Sequence, residues 1–487
     1  MRPFLSPRRP RVGATATISG LLQSTSFTYE GAFTQPLDFS VKDAWAYPNQ
    51  GMAYDPNGNS GAGSLFLSGL QNQYKTGEIS IPALATPAGF GDITGLNAAS
   101  ELQGLVDITE NSAYGLRPRG YLVYGSALII SSGSDYDTGG QDKSHWRRDK
   151  NLTSGGTTYL NRKLDSVIAN YQNPRFYCGY MCHIPSAWQS ALGGKALTGW
   201  NPDSIINNSS DGPTAGAFDP DDLISNTNVT VTPLLCYPGN LGYNLAAPGY
   251  TSDPTSDGLD PYPFWNATAK ITGMFIEGSS LVFVGMCGAG KLNYKRYSSN
   301  DSDPDSLLQL SPTKTSSTTF TVSGDQTASL YVSRQIRMNV NAAYATITSS
   351  SFASSTTTVT VSFDTGTMPG TLTTIHDNTA WVYDGSGLTS KGETAYPYRY
   401  QMWAYDLNDL AAVKAGTKLP HEVQPYAWWN FHTPFEGGYV YAKPDTQPDH
   451  HIITASAYDM VNKKLYFSTV KQPLYGEQVI HRMSVTA

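Results

Sequence analysis

A short unit recurs along this chain, and it constrains the fold more than any other feature: an apolar strand, a tight polar turn and a second apolar strand. Residues 51–56, with Gly51, Tyr54, Asp55 and Pro56, lead into 64–69, where Leu65, Phe66 and Leu67 lie between Ser64 and Ser68. Residues 120–125 lead in the same way into 128–131, 273–278 into 281–285, and 457–464 into 465–468. A fifth, degenerate copy is read at Gly216, Phe218, Asp219 and Pro220. Asp, Asn and Gly close such turns, and aromatic and branched residues pack the flanking strands. A third, more polar strand follows some copies, as at 77–82 and 479–485.

Antiparallel sheets of three or four strands repeated along a chain are the sequence form of β-propeller blades. The fold class expected is therefore all-β. At roughly 40–50 residues per blade, the chain outside the insert described below has room for about seven blades, six to eight being possible. A two-sheet sandwich of similar hairpins is the alternative, because the copies are unequally spaced. Composition agrees with strand and loop: 31 Tyr, 46 Gly and 30 Pro among 487 residues, with only 15% charged.

Residues 311–374 break the pattern. Ser and Thr dominate, and period-2 alternation runs through 318–322, 334–337, 344–350 and 358–363, with Gly324 and Asp325 as turn material. A small β-unit set into a surface loop costs the host fold little. The organisation expected is an N-terminal arm (1–20), a first propeller part (21–310), the inserted module (311–374) and a last propeller part (375–487).

The stretch from Phe320 to Ile375 resembles a small β-module that recurs in tail-fibre, tailspike and other structural proteins of tailed bacteriophages. The matching elements are the opening at 318–328, the strand Arg334 to Arg337, the core at 344–351 and the closing strand at 357–361. The remainder is similar to a family of uncharacterised bacterial proteins with propeller-like repeats. That similarity rests on Glu30 to Pro36, the first hairpin, Lys391 to Asp406, and 425–431 with Trp428 and Trp429. In that family a Cys-containing turn often precedes the late block; here Cys287 stands in such a turn, and the insert separates it from the block. The resemblances imply a structural, adaptor or host-receptor-contacting part of a phage tail. A carbohydrate-binding or carbohydrate-active propeller, and a capsid decoration or spike, are the alternatives.

Charge and motifs narrow the chemistry. A net charge of −7 argues against a phosphate-dominated nucleic-acid binder. No stretch approaches the roughly 18 apolar residues of a membrane helix, and the start lacks a secretory apolar segment. Assembly in the host cytoplasm into a virion is the expectation. Arg2, Arg8, Arg9 and Arg11 crowd the first residues as a possible docking arm. No nucleophile elbow, phosphate loop or zinc-helix signature occurs, so neither catalytic residues, nor cofactor, nor metal are expected. Cys178, Cys182 and His183 have a zinc-like spacing without a second ligand pair, and buried strand cysteines are the better reading. Asp301, Asp303 and Asp305 lack the Gly and Glu of a calcium loop; Asp219, Asp221 and Asp222 are similarly unspecific. His432, His450 and His451 are the remaining metal or acid–base candidates. Asp135, Asp137, His145, Trp146 and Arg147 mix carboxylates, rings and a guanidinium as a glycan or partner contact does. Trp403, Trp428 and Trp429 are read as inter-blade core. The partners expected are other virion tail proteins and host surface polysaccharide, with many copies per particle.

Overall fold

A computed structural model describes residues 20–37, 51–69, 75–87, 93–107, 117–133, 144–153, 160–165, 171–172, 174–200, 210, 212–225, 228–237, 269–288, 293–294, 307–308, 310–327, 329–332, 334–339, 342–377, 393–394, 398–430, 451–471 and 478–486. Strand dominates. After β1 (Phe27–Thr34), sheet 1 is a meander of β2 (Met52–Asp55), β3 (Ser64–Ser68), β4 (Lys75–Ser80) and β5 (Glu101–Asp107). Sheet 2 repeats it with β6 (Arg117–Tyr124), β7 (Ala127–Gly133), β8 (His145–Asp149) and β9 (Leu160–Asp165). Sheet 3 comprises β10 (Met181–His183), β11 (Ala196–Thr198), β12 (Ala215–Phe218) and β14 (Thr232–Leu235), with helix α1 (Ser186–Leu192) after β10 and α2 (Asp222–Ser225) after β12. Between them β13 (Asn228–Thr230) leaves to pair in parallel with β9 of sheet 2.

Sheet 4 opens with β15 (Lys270–Glu277) and β16 (Ser280–Gly288). The chain then passes through β17 (Asn293–Tyr294) into a seven-stranded module: β18 (Leu307–Leu308), β19 (Thr313–Lys314), β20 (Thr319–Ser323), β21 (Gln335–Met338), β22 (Ala343–Ala353), β23 (Thr356–Thr365) and β24 (Ile375–Asp377). It returns through β25 (Glu393–Thr394), which pairs with β17, and completes sheet 4 with β26 (Tyr398–Asp406) and β27 (Ala427–Asn430), helix α3 (Leu407–Lys414) lying between. Sheet 5 is β28 (His451–Asp459), β29 (Lys464–Lys471) and β30 (Val479–Val485), with β1 as its outer strand.

The first strands of the five sheets pack in a cycle: β2 on β6, β6 on β10, β10 on β15, β15 on β28, and β28 back on β2. Between neighbouring sheets lie five separate apolar cores, each fed by one face of each sheet. Alternate residues therefore serve opposite cores. Leu281 and Phe283 face sheet 3, whereas Val282 and Val284 face sheet 5. Leu128 and Ile130 face sheet 1, and Ile129 faces sheet 3. Burial on both faces makes these strands continuous apolar runs rather than alternating ones.

Closing the ring falls to the chain's two ends. Phe27 to Thr34 pair with Val485 to Val479, interrupted by a bulge between Tyr29 and Gly31. The bulged Glu30 accepts from Arg482 Nε at 2.6 Å and from Lys464 Nζ. Phe33, fully buried, joins Met52, Leu65 and Ile480 between sheets 5 and 1.

Three expectations are corrected here. Among the described residues five sheets, not seven, close the ring, the inner strand of the last packing on that of the first. The degenerate copy at 216–220 is β12, a third strand, and not the start of a unit. A sandwich of two sheets is likewise replaced by the cycle of five. The seven-stranded module has a core of its own, with Phe320, Val322, Ile336, Ile347, Val359 and Val361 buried together. In β20 the burial alternates as the period-2 reading of 318–322 requires.

Candidate functional site

The inner strands all run the same way, which gives the ring two unlike faces. At their starts a Cβ on Gly120 would stand 2.2 Å from the Gly179 carbonyl oxygen, and one on Gly273 would stand 1.7 Å from Ser456 Oγ. Only glycine permits such close approach of neighbouring strands. At their ends His183 Nε2 lies 2.9 Å from the Val123 carbonyl, and the Tyr458 hydroxyl donates to Glu277 at 2.9 Å.

The end face carries the described hairpin turns β2–β3, β6–β7, β15–β16 and β28–β29, and a contact spans every sheet junction there. Lys150 reaches buried Asp55 at 2.5 Å between sheets 1 and 2. The Tyr124 hydroxyl donates to Asp221 at 2.9 Å, and Lys195 binds Asp221 and Asp219 at 2.7 and 2.9 Å. The Lys195 bond holds the Asp221 carboxyl below its ordinary range. The Trp188 indole on α1 donates to the Gly278 carbonyl at 3.1 Å, joining sheets 3 and 4. Lys463 meets Glu277 at 2.6 Å between sheets 4 and 5, and Tyr54 stacks on Tyr466 between sheets 5 and 1. Between the faces the axis is lined by Met52, Val123, Met181, Met274, Ile276 and Tyr458 around a cavity of about 30 Å³, room for a water or two.

The opposite, loop-bearing face is different. The described strand ends that flank residues 38–50, 70–74, 108–116, 134–143, 201–209, 238–268, 431–450 and 472–477 all lie on it. So do the end of β16 and the start of β26, between which the seven-stranded module stands. The sheets beneath it are rich in buried hydroxyls bonded across strands and junctions. Thr76 Oγ1 lies 2.6 Å from the Tyr121 hydroxyl, Thr454 Oγ1 2.7 Å from Ser468 Oγ, and Thr469 Oγ1 3.0 Å from His481 Nε2. Arg119 and Arg175, both buried, stack on the Trp200 ring at 5.8 and 4.8 Å. Bonded polar networks of this kind make the sheets rigid beneath this face.

The structure disperses the glycan-contact set read from sequence. His145 and Trp146 are neighbours in β8 and point to opposite sides. His145, wholly buried, lies 2.9 Å from Ser144 Oγ and 3.1 Å from Thr198 Oγ1, and burial pushes its pKa down to about 3. Trp146 fills the core between sheets 1 and 2. Neither is a surface contact, because stacked sheets bury both faces of a central strand. Arg147 alone reaches the hairpin face, over the Tyr124 ring at 5.8 Å. Asp135, Asp137, Arg2, Arg8, Arg9, Arg11, Asp301, Asp303, Asp305, His432 and His450 lie outside the described residues, and His451 opens β28.

The Cys178–His183 run is the unit that sequence reading missed. It leads into β10, the inner strand of sheet 3, and all four cysteines are buried. Its signal was present in the order of a glycine (Gly179), apolar Met181 and a polar residue (His183), hidden by its ligand-like residue types. Trp403 and Trp429 are buried in the cores flanking sheet 4, and Trp428 packs at the edge of one. Arg119, Arg175 and Trp200 carried no signal in their spacing. Among the described residues no group of three or more His, Cys, Asp or Glu side chains could hold a metal ion, and no helix is long and apolar enough to cross a membrane.

No family model and no curated protein matches the chain. Among solved structures, phage phi92 endosialidase aligns over 75% of this chain and 44% of its own, at 10% identity and a TM-score of 0.15. A superposition at that level does not define a shared fold.

Proposed function

We propose that the ring is a five-bladed β-propeller and that the chain is a host-contacting component of a bacteriophage tail, present in many copies and assembled inside the host. The observation that carries the reading is the module between β16 and β26. It has its own core, it joins the ring at the loop-bearing face through β17 and β25, and it exposes Tyr331, Val332 and Phe352. Exposed rings and branched side chains on one small unit are the chemistry of a contact surface, and rings stack well on sugars. The sequence resemblance of that unit to tail-fibre modules supports the same assignment. The action proposed is binding without catalysis, with host surface polysaccharide as ligand. Multiplicity converts weak single contacts into firm attachment.

The test is electron microscopy of particles from the phage that encodes this chain, labelled with antibody to residues 311–374. Label on the tail is the expected result; unlabelled tails, or label on the capsid alone, overturn the reading. Shortening of host polysaccharide by the purified protein would overturn its non-catalytic part.

A further inference from the structure

The axial cavity has no part in the contact role, and the composition of its walls is unusual. Met52 of β2, Met181 of β10, Met274 of β15 and Met460 of the turn between β28 and β29 all border it. Four of the chain's ten methionines thus stand among fifteen lining residues, where an even spread of ten over 487 would put fewer than one. A methionine that serves as core filler closes a gap with its adaptable side chain. These four border a space that stays open. Each belongs to a different sheet, so closure of the ring is what brings the thioethers together.

His183, at the end of β10, borders the same space. Its Nε2 lies 2.9 Å from the Val123 carbonyl, which can only accept, so Nε2 carries a proton. In the neutral ring Nδ1 then holds a lone pair, and among the described residues it has no hydrogen-bond partner. Stacking on Tyr124, at 6.3 Å between centroids, holds the ring plane. An imidazole that donates one N–H to a backbone carbonyl is oriented as metal-binding histidines are. The hydroxyls of the lining are committed elsewhere: that of Tyr458 to Glu277, that of Tyr121 to Thr76 and that of Tyr54 to Asp459. Behind Tyr54 the buried Asp459 carboxylate, bonded also by Asn462 and the Val461 N–H, places a negative charge near this end of the axis. Thioether sulfur and imidazole nitrogen are soft, uncharged donors, which favour a soft monovalent cation over the oxygen-seeking Ca²⁺ and Mg²⁺.

We infer that the axial cavity is a binding site for Cu(I), held by the thioethers of Met52, Met181 and Met274 and by His183 Nδ1, with Met460 at the hairpin-face end. Three rotatable bonds let each thioether turn its sulfur onto the ion while the strands stay in place. Because the ligands stand on separate sheets, a bound ion ties the ring together at its axis and stabilises the folded form. The site is independent of the tail assignment.

Calorimetric titration of the full chain with Ag(I), which shares the donor preference of Cu(I) and is stable in air, tests it, together with anaerobic titration with Cu(I). The expected result is one ion per chain with a Kd of about 1 μM or below, a higher melting temperature on loading, and no comparable uptake of Zn(II). Met52→Leu, Met181→Leu and Met274→Leu conserve volume and apolarity. Together they should weaken binding at least about a hundredfold, and singly about tenfold, which keeps the test open where the triple variant melts early. His183→Gln, which keeps a donor for the Val123 carbonyl, should weaken binding about tenfold. Cys182→Ser beside the cavity and Met338→Leu in the module should leave it unaltered. A chain that takes up neither ion at about 100 μM overturns the inference. Binding that survives the leucine variants, or that is lost with Cys182→Ser, does so too.

Discussion

Lowering the pH from 7 to 5 is expected to cost the fold about 2 kcal/mol through His145 alone. The imidazole has no exposed surface, stands between Ser144 and Thr198 and meets the Phe218 ring edge-on at 5.6 Å. No carboxylate is among these contacts to favour a charged ring, and burial lowers its pKa to about 3. In the unfolded chain the same ring titrates near about 6.5. Below that value the unfolded chain takes up a proton that the folded form refuses. Stability is therefore level above about pH 6.5 and falls by about 1.4 kcal/mol per pH unit from there down to about pH 3. The drop of about 1.5 units to pH 5 gives the figure above. His183 and His421 are also lowered by burial, so the assay must isolate one ring. Urea unfolding of the wild type and of His145→Gln at pH 7, 6 and 5 does so. The stability advantage of the wild type should shrink by about 2 kcal/mol across the series. Parallel pH profiles for the two proteins would refute the buried, neutral assignment.

Three further outcomes follow from the packing. Phe283→Ala, at a fully buried ring set edge-on to Tyr180 and Tyr405, should cost about 3–5 kcal/mol in denaturant unfolding. Glu30→Gln should cost about 1 kcal/mol at neutral pH, because Lys464 and Arg482 lose their shared carboxylate. Burial pushes that carboxyl up, but the two cations outweigh it and hold its pKa below the ordinary value; the contribution is complete above the unfolded pKa and disappears as pH falls through the lowered one. Replacing residues 311–374 by a short Gly/Ser linker should leave the ring's unfolding free energy within about 0.5 kcal/mol, since the module's core is its own. Loss of cooperative unfolding in that variant would contradict the separation.

Hairpins were legible in this chain because turn chemistry is local: Asp55 and Asp459 accept from backbone N–H groups two residues on and cap their turns, and Gly125 and Gly278 take positive φ. The alternation in 318–322 was legible for the same reason. What depends on distant partners was not. β10 has three residues, too short to show a period, and Cys182 and His183 suggest ligands although their neighbours are core. The number of sheets cannot be had from chain length, because no local signal sets how much chain lies between one sheet and the next. His145 and Trp146 read as a surface pair because both are polar-tipped; only the presence of a sheet on each side of β8 buries them both. The buried stack of Arg119 and Arg175 on Trp200 unites three segments that no spacing rule relates.

The closure of the ring by β1 and β30 is the feature on which both faces depend. Thr28 and Ser484 are register partners, 456 residues apart in sequence. In the double variant Thr28→Cys, Ser484→Cys, mild oxidation of the folded protein should link them nearly completely. The link should also raise stability by up to about 6 kcal/mol, the chain entropy of so long a loop. Two thiols that stay free while the protein is folded would show that the chain's ends do not share a sheet, and the five-sheet ring with its opposed faces would not stand.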